Sequence, residues 1–339
     1  MKKFVKTLAA VMSCIIITST TTAYAVTDVN ENKAVYLGGE PFGVKFYNDG
    51  VMVVELEEYY AQGRYICPAK ESGIKVGDII KAVNGKNVKT NEELQQAILL
   101  CGGKPIHFTV ERKEKTLNKT VIPCKNMAGA YLLGAWVRDS CAGIGTVTYY
   151  DADKDYFAAL GHGICDNDTA ALMPLGNAEV VRTEISSVTR SSAGKAGSLN
   201  GYFTDESLGS LTQNTLCGVY GTANDKNMQK KTKLEIADND EIHLGDAEVY
   251  TTIEGDTAKA YRIEITKFCD LNKESNENFV IKITDDELLE KCGGIVQGMS
   301  GSPIVQDGKL VGAVTHVFLN NTDEGYGITA QNMVSNHEE

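Results

Sequence analysis

Residues 298–314 read GMSGSPIVQDGKLVGAV, and this stretch indicates the fold more directly than any other part of the chain. Ser300 lies between glycines on a tight turn, and two apolar runs follow it, joined at Asp307 and Gly308 as in a β-hairpin. A serine held in this way can present its Oγ outward, while the N–H groups of Gly298 and Ser300 can converge on a developing oxyanion. The stretch therefore predicts a nucleophile and an oxyanion hole on a β scaffold.

The sequence of residues 125–339 consists largely of short β-like runs interrupted by glycine. Such runs occur at 144–150, 247–253, 260–265 and 279–283, and the best helix candidate is the short stretch 285–291. Many strands with frequent turns favour a β barrel or sandwich over an α/β sheet. We therefore expect this region to be a mainly β domain.

A serine nucleophile needs a base at neutral pH, and the chain has five histidines. His162 lies upstream of Ser300, at the end of an apolar run and between two glycines. One other histidine lies in the first domain, one in a charged stretch, one just beyond the hairpin and one near the end of the chain. These are His107, His243, His316 and His337. The remaining candidate for the base is therefore His162.

The region upstream, residues 35–124, has the pattern of a small sheet with one helix. Strand-like runs lie at 43–46, 51–56, 79–83 and 106–110, and residues 48–50 and 84–85 are turn signals. Thr90 starts a capped helix with apolar residues at a spacing of three and four. Residues 72–85, SGIKVGDIIKAVNG, resemble the recurrent GIxxGDxIxxxNG segment of PDZ domains.

The PDZ resemblance implies a peptide-binding groove. In PDZ domains a peptide adds as a strand to an exposed sheet edge beside the helix, and a loop of backbone N–H groups captures its terminal carboxylate. By this resemblance the loop is formed by Pro41, Phe42, Gly43 and Val44, and Gly43 lets the backbone approach the ligand closely. The alternative is that these glycines only build turns.

The segment around Ser300 resembles the GxSGxP signature and hairpin of chymotrypsin-like peptidases. Five segments resemble the SpoIVB peptidase family (stage IV sporulation protein B) more particularly. They are GAWVRDS (134–140), AGIGT (142–146), ALGH (159–162), ITD (283–285) and GGIVQGMSGSP (293–303). The resemblance implies a PDZ-like domain followed by a chymotrypsin-like double β-barrel, and acyl-enzyme chemistry that needs no cofactor.

The same resemblance assigns the catalytic acid to Asp285, the last residue of the ITD segment. Asp285 falls between His162 and Ser300 in the chain order of chymotrypsin-like enzymes. Asp285 could instead cap the short helix that begins near Asp286. Members of the family act between the forespore and mother-cell membranes, where they cleave a membrane-embedded regulatory complex. The resemblance thus implies a protein substrate and a role in sporulation.

The amino terminus predicts export. Lys2 and Lys3 precede an apolar stretch, and Ala23-Tyr24-Ala25 has the small-residue pattern of a cleavage site. Residues 1–25 are therefore a signal peptide or an uncleaved anchor, and residues 26–34 are a tether. The eight cysteines beyond the signal leave disulfides and thiols open, and since no CxxC pair occurs we expect no metal.

The net charge of −12 disfavours nucleic acid as a partner. Two other functions remain open. One is a catalytically silent scaffold in which the PDZ-like module tethers a membrane partner, and the other is an extracytoplasmic peptidase of general quality control. The intact Ser300 and His162 argue against the first, and the GGIVQGMSGSP segment against the second.

Overall fold

The computed structural model describes residues 33–113, 115–151, 153–224 and 228–338. The predicted export signal and nearly all of the tether lie outside these residues. Within them, no helix is both long enough and apolar enough to cross a bilayer.

The strands are β1 (Ala34–Leu37), β2 (Pro41–Leu56), β3 (Tyr59–Ala61), β4 (Arg64–Ile66), β5 (Ile79–Val83), β6 (Lys86–Asn87), β7 (Ile106–Arg112), β8 (Lys115–Val121), β9 (Cys124–Lys125), β10 (Tyr131–Leu132), β11 (Ala135–Asp151), β12 (Tyr156–Ala159), β13 (Leu175–Thr189), β14 (Gly197–Thr215), β15 (Gly218–Ala223), β16 (Lys233–Glu235), β17 (Gly245–Thr251), β18 (Lys259–Phe268), β19 (Phe279–Ile283), β20 (Val296–Gln297), β21 (Pro303–Gln306), β22 (Lys309–Phe318) and β23 (Asn321–Thr329). The helices are α1 (Pro68–Glu71), α2 (Asn91–Leu100), α3 (Asp286–Cys292) and α4 (Ala330–Glu338), with one 3₁₀ turn at Met228–Lys230.

Two rings of strands form the larger part of the fold. In the first ring the neighbours are β2, β11, β12, β15, β14 and β13, and β13 pairs with β2 to close it. The second is a closed barrel in the order β17, β18, β19, β23, β22 and β21. Closure leaves neither ring with a free edge. The predicted mainly β architecture with a double barrel is confirmed.

Alternating apolar residues give each barrel its core. In β19, Phe279, Ile281 and Ile283 are at most 2% exposed and face the second barrel's interior. In β2, Phe42 and Phe46 are fully buried in the first barrel. Burying each such side chain stabilises the fold by about 1.5–3 kcal/mol.

A third module is formed by the part of the chain that lies between the barrel segments of β2 and β11. Its sheet contains the second half of β2 with β5, β7 and β8, and α2 packs on it through Leu94. The Thr90 side chain accepts a hydrogen bond from the Glu93 N–H, which confirms the predicted cap of α2. Asn84 and Gly85 have φ angles of +51° and +78° and form the turn between β5 and β6, as predicted.

Two predictions about the start of this module are wrong. Residues 48–50 do not form a turn, because β2 runs through them from the first barrel into the module. Residues 41–47 therefore belong to the barrel rather than to a domain that starts at residue 35, and β1 likewise pairs with the barrel strand β11. The module is thus inserted between two neighbouring strands of the first barrel, β2 and β11.

The assignment of Pro41, Phe42, Gly43 and Val44 to a carboxylate-binding loop is also wrong. These residues lie in the middle of the first barrel, where Gly43 pairs with β11 on one side and β13 on the other. Their backbone groups belong to a central strand. A Cβ on Gly43 would lie 2.5 Å from the Phe203 ring, so the glycine serves close packing.

Candidate active site

A cleft of about 540 Å³ is lined by two of the three predicted catalytic residues, Ser300 and His162, but not by Asp285. His162 follows β12 of the first barrel, whereas Ser300 precedes β21 of the second. The cleft is also lined by residues 141–145 of β11 and by the end of β22. The two barrels therefore each supply one reactive group to a shared site.

Close packing against the first barrel shapes the turn that carries Ser300. Gly298 and Gly301 have φ angles of +102° and +92°, a region that favours glycine. The Gly301 N–H donates to the Val314 carbonyl at 2.8 Å, and the Thr146 N–H of β11 donates to the Ser300 carbonyl at 3.0 Å. A Cβ on Gly301 would lie 2.1 Å from the Thr146 carbonyl oxygen. The turn thus fits only when glycine follows Ser300.

The two serines of the turn differ in their surroundings. Ser302 is fully buried, and its Oγ donates to Thr251 Oγ1 of the second barrel at 2.9 Å. Ser300 is partly exposed, lines the cleft, and donates its Oγ–H to the Thr315 carbonyl at 2.8 Å. Gly298 lines the same cleft. The geometry therefore favours Ser300 as the nucleophile, and the oxyanion donors Gly298 and Ser300 stay a prediction.

The hydrogen bond of His162 defines its tautomer. Its Nδ1 lies 2.8 Å from the Gly163 carbonyl oxygen, which can only accept a hydrogen bond. Nδ1 must then carry the proton, and Nε2 keeps the lone pair that a general base needs. Burial lowers the pKa of His162 to about 4, and the neighbouring His316 contributes to the lowering. His162 is therefore neutral, and able to accept a proton, at neutral pH.

Asp285 does not orient His162 in this structure. Asp285 is the N-cap of α3, where its carboxylate accepts hydrogen bonds from the Glu287 and Leu288 N–H groups at 3.0 and 3.2 Å. Among the described residues, no carboxylate forms a hydrogen bond or ion pair with the His162 ring. The prediction of Asp285 as the acid is wrong for this conformation. The Gly163 carbonyl, rather than a carboxylate, accepts the hydrogen bond from His162 Nδ1–H. The local capping bonds fix Asp285 at the helix end instead.

The environment of Asp285 is that of a capping carboxylate. Burial by itself raises its pKa, but hydrogen bonds from the Leu288 and Arg262 N–H groups and the Arg262 guanidinium outweigh burial and lower it. The Arg262 Nε lies 3.6 Å from the carboxylate. Asp285 is thus ionised at neutral pH, and its carboxylate already accepts the hydrogen bonds that cap α3.

Sequence reasoning missed two residues near His162. The His316 ring centroid lies 4.9 Å from that of His162, and His316 lines the cleft. Arg138 also lines the cleft and pairs with Asp166 on the loop that follows His162. The sequence signals were only that Arg138 lies within the GAWVRDS segment and that His316 follows the hairpin after Ser300. The contacts of these residues with Asp166 and His162 join distant parts of the chain, and no local pattern records them.

Among the described residues, the cysteines and the other candidate metal ligands form no second reactive cluster. The eight cysteines in the described part of the chain are free thiols, and burial raises the pKa of Cys141 and Cys165 beside the cleft. In the same described ranges, no three His, Cys, Asp or Glu side chains are grouped as metal ligands. His243 pairs with Asp307 at 2.8 Å, and neither residue lines the cleft.

Two family models match the two kinds of module in this chain. The family model described as SpoIVB peptidase S55 matches residues 129–334, and a PDZ domain model matches residues 67–112. A curated relative named as a zinc metalloprotease of Clostridium perfringens is 33% identical over 67 residues. That alignment covers 20% of this chain, and the chain spans only 20% of that relative.

Solved structures with some similarity include an HtrA-type protease, AlgW, with a decapeptide, at 13% identity and a TM-score of 0.35. The match covers 60% of this chain and 53% of that one. A protease from M. tuberculosis in its active form matches at 13% identity and a TM-score of 0.34, over 57% and 72% of the two chains. The PDZ domain of an SdrC-like protein from Listeria monocytogenes matches at 19% identity and a TM-score of 0.22, over 26% and 87%.

Proposed function

The chain belongs to the SpoIVB peptidase S55 family and is a serine peptidase, and from this premise we propose that it is an exported endopeptidase that cleaves a membrane-associated regulatory protein during sporulation. One observation carries the catalytic part of the proposal. His162 donates its Nδ1–H to the Gly163 carbonyl and lines the same cleft as Ser300. The sporulation part is supported by the family, and the export part by the sequence of residues 1–25.

The reaction begins with a change of hydrogen-bond partner. The Ser300 Oγ–H leaves the Thr315 carbonyl, and its proton passes to His162 Nε2 as Oγ attacks the substrate carbonyl carbon. The negative charge on the substrate oxygen is met by the N–H groups of Gly298 and Ser300. His162 then protonates the leaving amine, and a water molecule hydrolyses the acyl-enzyme by the same route.

The partner follows from the protein's modules. A peptidase of this family with a PDZ domain binds protein or peptide substrates. The predicted signal or anchor at residues 1–25 holds the protein at, or sends it across, a membrane, which favours a membrane-embedded complex as the substrate. Binding of a partner's peptide by the PDZ module is part of the same proposal.

The test is complementation in a spore-forming bacterium that lacks its own member of the family. Wild-type protein and Ser300→Ala are expressed, with Ser335→Ala as the control, because Ser335 is a serine of α4 outside the cleft. We expect wild type and Ser335→Ala to restore spore formation and to appear in the extracytoplasmic fraction. Ser300→Ala should fail to restore spore formation. Restoration by Ser300→Ala would refute the peptidase role in sporulation, and unprocessed protein in the cytosol would refute export.

A further inference from the structure

The sheet edge of the PDZ module that lies beside α2 is already paired with a strand of the same chain. The second half of β2 is bordered by β5 on one side, and on the other by the first residues of β11. The pairing is antiparallel, with Ala135 opposite Leu56 and Arg138 opposite Met52. A PDZ ligand adds as a strand to an exposed sheet edge. Here that edge of β2 is taken by residues 135–138.

Side chains of this internal strand make the contacts expected of a ligand. Ala135 and Val137 pack against the hydrophobic core of the module. The N–H of Asn91, the first residue of α2, donates to the Asp139 carboxylate at 2.7 Å. Trp136 points the other way, is 59% exposed, and donates its indole N–H to Glu57 at 2.7 Å. The strand thus contacts both the sheet edge and the helix that border the groove.

The next residue, Arg138, connects this strand to the cleft. Its carbonyl accepts a hydrogen bond from the Asn48 side chain at 3.0 Å. Its guanidinium donates to the carboxylates of Asp166 and, at 2.7 Å, of Asp168. The Asp166 side chain is fully buried. Such a carboxylate depends on its cationic partner, because an unpaired buried charge is strongly destabilising.

Asp166 in turn shapes the loop that holds His162. One of its carboxylate oxygens accepts hydrogen bonds from the Asp168 and Thr169 N–H groups at 3.1 and 2.9 Å. The loop begins at Gly163, whose carbonyl accepts a hydrogen bond from the Nδ1–H of His162. Contacts therefore run from the PDZ module through Arg138 to Asp166, which lies three residues after Gly163 on the loop whose first carbonyl holds the catalytic base.

We propose that residues 135–138 are the resting ligand of the PDZ groove and that Arg138 is a positioning residue through which groove occupancy sets the orientation of His162. An extended peptide from another protein binds this edge of β2 only by displacing the internal strand. Displacement separates Arg138 from Asp166, and the loop that holds the His162 ring then rearranges. Occupancy by an external peptide consequently lowers turnover. The catalytic part of this inference rests on the proposed function, whereas the groove part does not.

The groove claim is tested by peptide binding to the full chain. The probe is the synthetic peptide acetyl-GAFVRD, a copy of residues 134–139 with phenylalanine for tryptophan, so that Trp136 remains the single indole in the mixture. Val137→Asp places a charge against the module core and weakens the internal strand, while Val137→Ile is the apolar control. We expect Trp136 fluorescence to report binding at least about 10-fold tighter for Val137→Asp than for wild type or Val137→Ile. Equal affinity for all three overturns the claim.

Hydrogen exchange on wild type tests the same claim without a variant. The amides of residues 135–138 that bond to β2 should exchange slowly, like those of β5 on the other side of β2. Exchange of these amides at the rate of an unpaired segment overturns the groove claim, even if Val137→Asp fails to fold.

The coupling claim is tested on turnover. Arg138→Gln should lower kcat by about 10- to 100-fold with little change in KM, because the base is misplaced while the cleft still binds substrate. Arg138→Lys should recover part of the loss, and Arg182→Gln, an arginine outside the cleft, should leave kcat unchanged. In the Arg138→Gln background, Val137→Asp should cause no further loss. A kcat within 2-fold of wild type for Arg138→Gln, or losses that multiply, overturns the coupling.

A readout without turnover separates this claim from the proposed function. The NMR signal of the His162 Nδ1 proton should change in Arg138→Gln and stay unchanged in Arg182→Gln. If wild type cleaves nothing, the proposed function fails while this comparison still decides the coupling. An unchanged His162 signal in Arg138→Gln overturns it.

Discussion

The low pKa of His162 predicts a peptidase that stays active in mild acid. Burial holds this pKa at about 4, against 6.5 for a free histidine. With a pKa of 4, about 97% of His162 is neutral at pH 5.5, whereas only about 9% is neutral with a pKa of 6.5. We therefore expect kcat/KM at pH 5.5 to be nearly equal to its value at pH 7.5, rather than about one tenth of it.

The assay is a pH profile of kcat/KM with a peptide substrate that has no ionisable group near the scissile bond. This ratio reports the ionisation of the free enzyme. His316→Phe provides the comparison, because removing the second imidazole removes its repulsion and should move the acid limb slightly upward. A wild-type acid limb centred between pH 6 and 7 would refute the assigned environment of His162.

The same pKa predicts how stability changes with pH. The unfolded chain takes up a proton at His162 near pH 6.5, while the folded chain does so only near pH 4. Stability from this group is therefore complete above pH 6.5 and falls as the pH drops toward 4, by about 2 kcal/mol at pH 5. Urea unfolding at pH 7.5 and 5 measures it, with His162→Gln as the reference that lacks the effect. Parallel losses in both proteins would contradict the prediction.

Two further predictions concern the second barrel. Asp285→Ala should lower the free energy of unfolding by about 1 kcal/mol. Asp285→Asn keeps a good N-cap and should leave both stability and turnover near wild type. If Asp285→Asn instead lost turnover by orders of magnitude at unchanged stability, Asp285 would again be the candidate for the catalytic acid. Gly301→Ala should lower kcat/KM by at least about 10²-fold, because its Cβ would meet the Thr146 carbonyl and displace Ser300. Gly308→Ala is its control, with a φ of +79° but open space around the new Cβ, and equal losses in the two variants would refute the steric argument.

Local patterns predicted the elements that depend on near neighbours in sequence. The turn at Asn84-Gly85, the cap at Thr90 and the strand Phe279–Ile283 are confirmed. The family segments also predicted that Ser300 and His162 act together, because a motif records a site that the fold brings together. The structure places both in one cleft.

The errors arise where tertiary pairing overrides a local signal. The PDZ resemblance placed residues 41–44 in a loop, although residues 43–46 read as a strand and buried Phe42, Val44 and Phe46 alternate along β2. The insertion of the module between β2 and β11 depends on pairs such as Gly43 with Ile144, about a hundred residues apart in sequence, which no local pattern records. Asp285 fits both a cap and a catalytic acid, and only the three-dimensional contacts distinguish the two.

The central claim is that Ser300 is the nucleophile, and the site of covalent labelling tests it most directly. The protein is treated with a fluorophosphonate at pH 7.5, digested, and the adduct is located by mass spectrometry. We predict one adduct on Ser300, none in Ser300→Ala, and an adduct that persists in Ser302→Ala if that variant folds, since Ser302 bonds only within the second barrel. An adduct on Ser302, or undiminished labelling of Ser300→Ala, would contradict the account.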